Sequence, residues 1–346
     1  MWPLLLSASL STDPVEVFMK GDNVTGDSRF YYCFRIPQLL ALPSGTLLAF
    51  AEGRADGCKP DVRGNRPIVV RASHDEGVTW GDIRIAGPAL PSLGTNYPGA
   101  FVRADGTVVL RYQVSNGSVF STESRDEGST WSPPVEASQP PGMHCGSMWP
   151  AALGASFVLP CGRNASARSD DGGRTWTASS TAVSLDPNVT GLGEVQLSAD
   201  GRSPTSLSMF IRASSHDGWL NHAIAQSDDG GDTWGAARLL PLVGATCEGS
   251  IGRDRRSPPG EVLLATIAGH FPGYLGRGNM SVWSLDTAAG ADPVSRLDVW
   301  PQAAGYSDFA QAASGAMLLL YEAGGTVYDY GIKLSPVDVG RGRVRT

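Results

Sequence analysis

One eight-residue pattern, Ser-x-Asp-x-Gly-x-Thr-Trp, occurs four times in this chain and limits the folds that it can adopt. The copies are SHDEGVTW, SRDEGSTW, SDDGGRTW and SDDGGDTW, and their aspartates are Asp75, Asp126, Asp171 and Asp229. Consecutive copies are therefore 51, 45 and 58 residues apart. A four-stranded propeller blade needs about 40–50 residues. The repeat therefore predicts a β-propeller in which four blades carry one copy each.

Each residue type in the pattern has a structural use in a tight turn. Asp and Ser side chains accept backbone N–H bonds, Gly adopts a positive φ at little cost, and Trp anchors the turn by burial in the core. We expect the turn to connect the two outer strands of a blade, and we interpret its aspartates as turn acceptors. The alternative is that four exposed Asp-rich loops bind calcium, although each copy has fewer ligands than a dedicated site.

The rest of the chain is typical of an all-β protein. Its 346 residues include 43 glycines and 24 prolines. Short apolar or alternating runs, such as GTLLAFAEG and GTVVLRYQV, lie between turn signals. The formal net charge is −7 and no basic run is present, which argues against a nucleic-acid partner. No apolar run is long enough to predict a membrane span.

Several features favour a protein that is secreted or lies in the lumen of the secretory pathway. Asn-x-Ser/Thr sequons occur at Asn23, Asn116, Asn164, Asn188 and Asn279. The first residues, MWPLLLSASLST, are apolar like the centre of a signal peptide but lack a basic leader. We expect residues 1–25 to be either a partial signal remnant or a closing strand, and residues 26–346 to form a single propeller domain.

Three arginines lie where a propeller without a ligand has no need of them. Arg35 lies inside the apolar strand YYCFRIPQLL, Arg212 lies in LSMFIRASS, and Arg277 lies at the entry to a strand in YLGRGNMSVW. Arginine is almost never fully buried without a partner. If these side chains converge at the propeller axis, a carboxylate or phosphate ligand, or a carboxylate of the protein, must share the site with them. The pattern therefore predicts an anion-binding site.

The motifs FRIP and AEGR, together with the four repeats, resemble the exo-α-sialidase (neuraminidase) family from about Phe34 to Glu322. The repeat is the one called the Asp-box, or bacterial neuraminidase repeat, which also occurs in non-enzymatic propellers. The resemblance implies a six-bladed β-propeller that hydrolyses terminal sialic acids from glycoproteins, glycolipids or oligosaccharides. In this family three arginines grip the sialic acid carboxylate, and the matching positions are Arg35, Arg212 and Arg277.

The electrostatics of sialic acid explain the nucleophile that the resemblance implies. Sialic acid has its carboxylate on the anomeric carbon, so a carboxylate nucleophile would approach it against like-charge repulsion. A neutral phenol avoids that repulsion if a base takes its proton. Tyr306 in GYSDF resembles the nucleophilic tyrosine of the family, and Glu194 in GLGEVQL resembles its partner. We expect Glu194 to receive the proton and the nearby arginines to favour the phenolate. The implied reaction is a double displacement with retention, and it requires no metal or organic cofactor.

The resemblance also assigns a general acid/base and two supporting residues. The acid/base is a loop aspartate, best matched by Asp61 in CKPDVRGNRP, with Asp56 in RADGC as the rival. Glu322 in LLLYEAG matches the carboxylate that orients and partly neutralises Arg35. Arg54 in AEGR matches an arginine on the C4 side of the sugar.

Three further residues have roles that the resemblance leaves open. Glu248 in ATCEGSIG lies in a loop that borders the site in relatives. Trp149 and Phe271 are candidates for the apolar contact of the N-acyl group, and either is also explained as a structural aromatic.

The five cysteines have no Cys-x-x-Cys or zinc spacing. Cys33 and Cys58 lie at the ends of adjacent predicted strands, and Cys145 and Cys161 are similarly placed on another blade. We hypothesise a disulfide within each pair. The odd count leaves Cys247 unpaired or bonded to another chain.

Other functions are compatible with the same motifs. A non-catalytic propeller that binds sialic acid or a protein has no need of Tyr306, Glu194 and a loop aspartate together. An enzyme that prefers the deaminated sialic acid Kdn, or one that transfers sialic acid instead of hydrolysing it, would retain all of them.

Overall fold

The computed structural model describes residues 13–58, 66–88, 94–146, 149–185, 187, 189–215, 220–243, 247–269, 277–288, 290, 292–325 and 331–338. Within these ranges the chain forms 24 strands, grouped in six antiparallel four-stranded sheets. The all-β, six-bladed propeller predicted from the repeat and the resemblance is thus confirmed. None of the described segments is a helix that could cross a bilayer.

The first three blades are formed by consecutive strands that run in order from the inner strand outward. Blade 1 consists of β2 (Cys33–Ala41), β3 (Leu47–Arg54), β4 (Ile68–Ser73) and β5 (Arg84–Gly87). Blade 2 consists of β6 (Thr95–Val102), β7 (Val108–Val114), β8 (Val119–Ser124) and β9 (Val135–Glu136). Blade 3 consists of β10 (Ala151–Leu153), β11 (Ser156–Cys161), β12 (Ala165–Ser169) and β13 (Thr177–Ala178).

The last three blades include one strand from the other end of the chain. Blade 4 consists of β14 (Val189–Ala199), β15 (Leu207–Ser215), β16 (Leu220–Ser227) and β17 (Arg238–Val243). Blade 5 consists of β18 (Ser250–Gly252), β19 (Glu261–Gly269), β20 (Arg277–Asp286) and β21 (Val294–Trp300). Blade 6 consists of β22 (Ala303–Gln311), β23 (Met317–Gly324), β24 (Gly331–Val337) and β1 (Val15–Phe18).

The strand β1 closes the propeller. It pairs with β24 as the outermost strand of blade 6, with Val15 opposite Leu334. The chain then continues into blade 1, so the first and last blades are linked through the backbone. Apolar side chains of both blades pack between them in one buried cluster that includes Phe18, Phe34 and Leu320. The ring is thus joined at its ends by both covalent continuity and burial, as radial repetition requires.

Side chains of the inner strands hold neighbouring blades together around the axis. The Gln38 amide donates to the Ala100 carbonyl at 2.9 Å, which joins blade 1 to blade 2. The Asp308 carboxylate accepts from the Leu39 N–H at 2.9 Å, which joins blade 6 to blade 1. These bonds satisfy polar groups that the ring would otherwise bury without partners.

In each of the first three blades, a residue with positive φ followed by a proline lies at or near the start of the inner strand. Ile36, Tyr97 and Trp149 have φ values of 55°, 58° and 40°, and each precedes a proline. The pairing register shifts at this point in the first two blades, between Arg35 and Gln38 and between Asn96 and Gly99. A residue with positive φ at a register shift is a β-bulge, which re-aims side chains.

The four Ser-x-Asp repeats form turns between the third and fourth strands of blades 1 to 4, as predicted. In the third copy Asp171 Oδ1 accepts from the Ser169 hydroxyl at 2.8 Å and from the Thr175 N–H at 2.9 Å. Its Oδ2 accepts from the Thr175 hydroxyl at 2.6 Å. The other copies repeat this set of bonds. Both oxygens of each aspartate are thus used by the turn itself. In the described part of the chain, no three His, Cys, Asp or Glu side chains are grouped so that they could hold a metal ion.

Both hypothesised disulfides are present, and each one fixes the end of a blade. Cys33–Cys58 joins the start of β2 to the loop after β3, and Cys145–Cys161 joins the segment before β10 to the end of β11. Cys247 is a buried free thiol.

The turn bonds predict a difference between two adjacent aspartates of the fourth copy. Asp229 accepts three hydrogen bonds within its turn, whereas Asp228 has a 78% exposed side chain and forms a surface ion pair with Arg202. We expect Asp229→Ala to lower the free energy of unfolding by about 1–2 kcal/mol because the turn donors lose their acceptor. The control Asp228→Ala should change it by less than about 0.5 kcal/mol. Equal effects of the two variants in urea titrations would contradict the turn-acceptor role.

Candidate active site

The sequence-predicted residues converge where the inner strands begin. Arg35 and Tyr306 lie in the first halves of β2 and β22, and Glu194 lies at the middle of β14; these are the inner strands of three different blades. Arg54 and Arg212 lie at or near the ends of second strands, which run in the opposite direction and therefore reach the same end of the propeller. The Asp-box turns follow third strands and lie at the other end.

At the centre of this end, a phenol is hydrogen-bonded to a carboxylate. The Tyr306 hydroxyl donates to Glu194 Oε1 at 2.8 Å, and Glu194 Oε2 accepts from Arg212 Nη1 at 2.8 Å. Tyr306 is 6% exposed, whereas the Glu194 and Arg212 side chains are 20% and 24% exposed. The pair is therefore sheltered but open to a small ligand on one side.

Burial and charge fix the resting protonation of this pair. Burial raises the pKa of Tyr306 well above its usual value, and the Glu194 charge raises it further. Burial also raises the pKa of Glu194, but the Arg212 charge and the hydrogen bonds from Tyr306 and Arg212 outweigh it, so that pKa is lowered. The resting state is thus a neutral phenol beside an ionised carboxylate.

The nearby arginines favour the phenolate only in part. The Arg35 charge lowers the pKa of Tyr306, as expected, but burial and the Glu194 charge together outweigh it.

Arg35 is held by a buried carboxylate on the neighbouring blade. Its Nε and Nη2 donate to Glu322 Oε1 and Oε2, each at 3.0 Å, in a bidentate ion pair. Burial alone would lower the pKa of Arg35, but Glu322 reverses the shift and raises it. The guanidinium lies 5.5 Å from the centre of the Tyr306 ring. Glu322 thus keeps a cation beside the phenol, as the resemblance implies.

The backbone around Glu322 is shaped to admit it. Glu322 Oε1 also accepts from the Ile36 N–H at 2.8 Å, and Oε2 accepts from the Tyr306 N–H at 3.2 Å. A Cβ atom at Gly305 would lie 2.0 Å from Glu322 Oε2. Any residue other than glycine at position 305 would therefore displace the carboxylate.

The third arginine is close to the same group of charges. Arg277 is the first residue of β20. Its pKa is raised by Cys247, Tyr306 and Glu322, which outweigh burial and the Arg35 charge. Arg35 therefore lies beside the Tyr306 ring, Arg212 is connected to it through Glu194, and Arg277 is within electrostatic reach of it.

The Arg54 side chain is almost fully buried and is bonded to groups of the protein itself. It is 1% exposed, and its Nε and Nη2 donate to Glu52 Oε2 at 3.0 and 2.6 Å. Its Nη1 donates to the Cys58 carbonyl at 3.3 Å. In this conformation Arg54 connects the end of β3 to the loop that follows, and its contact with the C4 side of a sugar stays a prediction.

Of the two acid/base candidates, the structure describes only the rival. Asp61 lies outside the described residues. Asp56 accepts from Arg66 Nε at 3.2 Å, and its side chain is 39% exposed.

Of the two aromatic candidates for the N-acyl contact, the structure describes only Trp149. Phe271 lies outside the described residues. Trp149 is 3% exposed, stacks on the Tyr306 ring with 6.2 Å between ring centres, and donates to the Pro37 carbonyl. Trp149 therefore packs against the ring of Tyr306, the candidate nucleophile.

Sequence reasoning missed a second carboxylate bridge, which lies between blades 1 and 2. Glu52 Oε1 accepts from the Tyr97 N–H at 3.1 Å while its Oε2 holds Arg54. Glu52 thus repeats, one blade further on, the bond of Glu322 to the Ile36 N–H, although its arginine partner lies on its own strand and not on the next blade. An alignment of the blades on the shared segments FRIP, TNYP and SMWP would have revealed it.

Two further buried groups lie close to the residues of the site. Glu248 is 1% exposed, and burial together with nearby carboxylates raises its pKa well above the usual value. Its Oε2 accepts from the Ser307 N–H, next to Tyr306. His222 pairs with Arg212 across β15 and β16, and burial followed by the Arg212 charge lowers its pKa to about 4.

An open cavity of about 760 Å³ lies beside Glu194 and Arg212. Its opposite wall contains His144 and Arg163, which flank the Cys145–Cys161 disulfide. This volume lies within the range of small-ligand sites.

Comparison with known proteins identifies similar sequences. No protein-family model matches the chain. The sialidase of Micromonospora viridifaciens is 28% identical over 341 residues, which cover 84% of this chain and 50% of that protein. The exo-alpha-sialidase of Aspergillus fumigatus is 28% identical over 189 residues, which cover 42% of this chain and 46% of that protein. The chain thus spans about half the length of the curated relatives that it matches.

Solved structures share the fold at lower identity. A variant of the NanB sialidase from Streptococcus pneumoniae has a TM-score of 0.76 and 13% identity, covering 94% of this chain and 71% of that one. The Trypanosoma rangeli sialidase in complex with sialic acid has a TM-score of 0.68 and 17% identity, covering 93% of this chain and 58% of that one. The sequence relatives and the shared propeller therefore confirm the resemblance of this chain to the exo-α-sialidase (neuraminidase) family.

Proposed function

We propose that this protein is an exo-α-sialidase, a glycoside hydrolase that removes terminal sialic acids from glycoproteins, glycolipids or oligosaccharides. The observation that carries the proposal is the 2.8 Å hydrogen bond from the Tyr306 hydroxyl to Glu194, in a site surrounded by arginines. A phenol bonded to an ionised carboxylate is an activated nucleophile. The names of the two sequence relatives support the same activity.

The substrate carboxylate binds among Arg35, Arg212 and Arg277. Arg35 is paired with Glu322 and Arg212 with Glu194, so protein carboxylates compensate these two cations. The arginine donors that face the ligand supply charge-assisted bonds to its carboxylate. The sugar is thereby oriented with its anomeric carbon toward Tyr306.

The reaction is a double displacement with net retention. In the first step Tyr306 Oη forms a bond to the anomeric carbon, its proton passes to Glu194, and the bond to the leaving-group oxygen breaks as Asp61 protonates that oxygen. In the second step Asp61 removes a proton from water, the water oxygen bonds to the anomeric carbon, and Tyr306 leaves and recovers its proton from Glu194. The arginines stabilise the carboxylate throughout, and no cofactor takes part.

We assign the acid/base role to Asp61 in preference to Asp56. Asp56 bonds to the 2% exposed side chain of Arg66, so its loss would remove a carboxylate from a buried cation. That contact gives Asp56 a structural use, which favours Asp61 for the chemistry.

We propose that the protein acts in an oxidising, secretory compartment. Two disulfides are typical of such compartments. The sequon asparagines Asn23 and Asn116 are exposed, so both are accessible to glycosylation.

Replacement of the nucleophile tests the proposed function. We expect Tyr306→Phe to lower kcat/KM on an aryl α-sialoside by about 1,000-fold or more, because the attacking oxygen is removed. Tyr112→Phe is the matched control, since Tyr112 is also buried and its hydroxyl has no hydrogen-bond partner among the described residues. The control should retain wild-type rates. An active Tyr306→Phe enzyme would exclude the phenol mechanism, and an inactive wild type that still binds sialic acid would indicate a binding propeller.

The leaving group distinguishes the two aspartates. A lactose hydroxyl needs protonation as it departs, whereas fluoride does not. We expect Asp61→Ala to lower activity on 3′-sialyllactose much more than on α-sialyl fluoride, because the fluoride needs no proton in the first step and loses only the base of the second step. Asp56→Ala should affect both substrates alike, through stability or local structure. The reverse pattern would transfer the acid/base role to Asp56.

A further inference from the structure

One wall of the cavity beside Glu194 and Arg212 contains a cation that the proposed mechanism does not use. Arg163 lines that wall, is exposed, and has no carboxylate partner among the described residues. Of the described residues that line the cavity, Glu194 is the only acid, and its two oxygens are already bonded to Tyr306 and Arg212. A guanidinium that lines a cavity without a protein carboxylate can bind an oxyanion of a ligand.

The hairpin that carries Arg163 is fixed to the segment that carries His144, the other cavity residue of this wall. The Gly162 N–H donates to the His144 carbonyl at 3.2 Å, and the neighbouring cysteines form the disulfide Cys145–Cys161. The backbone of the wall is thus held by one covalent bond and one hydrogen bond next to both side chains. A ligand that binds there has to order little more than the Arg163 side chain.

The size of the cavity matches one sugar. A roughly spherical space of 760 Å³ is about 11 Å across, which is the scale of a single nine-carbon sugar acid. Arg212 and Glu194 line one side, and His144 and Arg163 line the opposite side. A sialic acid whose carboxylate is bound at Arg212 therefore places the far end of its carbon chain at the wall that contains Arg163.

We propose that Arg163, with His144 beside it, binds a second anionic group on the sialic acid itself: a sulfate or phosphate ester at the end of the chain remote from the carboxylate. The inference rests on the proposed function and specifies its substrate class as doubly anionic sialosides. Arginine donates paired hydrogen bonds to the oxygens of sulfate and phosphate. The imidazole of His144 adds a further N–H donor. A neutral hydroxyl at the same place would leave the charge of Arg163 without a partner.

Paired substrates test this subsite: an aryl α-sialoside, and the same compound with a sulfate or a phosphate ester on the terminal hydroxyl of its side chain. We expect the wild type to prefer both esters. Arg163→Gln should lower the ratio of kcat/KM on an ester to kcat/KM on the plain sialoside by about 3–10-fold, the effect of one charge-assisted bond in a partly solvated site. Arg163→Lys should retain part of the preference, because the charge stays and the paired geometry is lost. The control Arg125→Gln, an exposed arginine of the second Asp-box turn at the other end, should leave the ratio unchanged.

Binding to an inactive enzyme separates this proposal from the proposed function. In a Tyr306→Phe background, calorimetry should show that Arg163→Gln weakens a sulfated methyl α-sialoside by the same factor relative to the plain methyl α-sialoside. That result would support the subsite even if the wild type proved to bind sialosides without cleaving them. Equal losses on the two ligands, or no loss on either, would overturn it. A preference that depends on Arg163 but favours an α2-8-linked disialyl ligand over the esters would also overturn it, and would place the second anion on the leaving group.

Discussion

The site depends on one buried carboxylate, Glu322, which reaches from the second strand of blade 6 to the first strand of blade 1. It accepts hydrogen bonds from the Arg35 guanidinium, the Ile36 N–H and the Tyr306 N–H. Arg35 and Glu322 are 287 residues apart in the sequence, and the ring closed by β1 brings them together. A single ion pair therefore joins the last blade to the first, and it fixes a cation and the candidate nucleophile in one position. Removing either partner would leave a buried charge uncompensated.

The carboxylates near the axis fall into two groups. Glu194 and Glu322 are paired with arginines. The hydrogen bonds that Glu248 and Asp308 accept within the described chain come from backbone N–H groups. Burial raises the pKa of Asp308 to about 8 and, with nearby carboxylates, raises that of Glu248 well above its usual value. The carboxylates that hold arginines are thus distinct from those whose ionisation burial opposes.

Much of the fold was predictable because its signals are local. The Asp-box specifies its own turn through bonds within eight residues, so the blade period is readable directly from Asp75, Asp126, Asp171 and Asp229. Blades 5 and 6 have no copy of the repeat, and their number came only from the resemblance. The arginines and Tyr306 were selected by motif, and their proximity is a property of the closed ring that no local pattern contains.

The parts that sequence reasoning missed depend on contacts between blades and on burial. Glu52 resembles any polar strand residue until its bond to Tyr97 on the next blade is seen. The high pKa of Tyr306 was also not readable from the sequence, because the loss of hydration on burial is invisible in a motif whereas the nearby arginines are not.

The central claim is that the phenol of Tyr306 bonds to the anomeric carbon of a sialic acid held by its carboxylate. The most direct measurement is trapping with a 2,3-difluoro sialic acid, in which fluorine slows the second step, followed by peptide mass mapping. A single sialyl adduct on the peptide that contains Tyr306 is the predicted result. An adduct on an aspartate or glutamate, or time-dependent inactivation without any covalent adduct, would contradict the account.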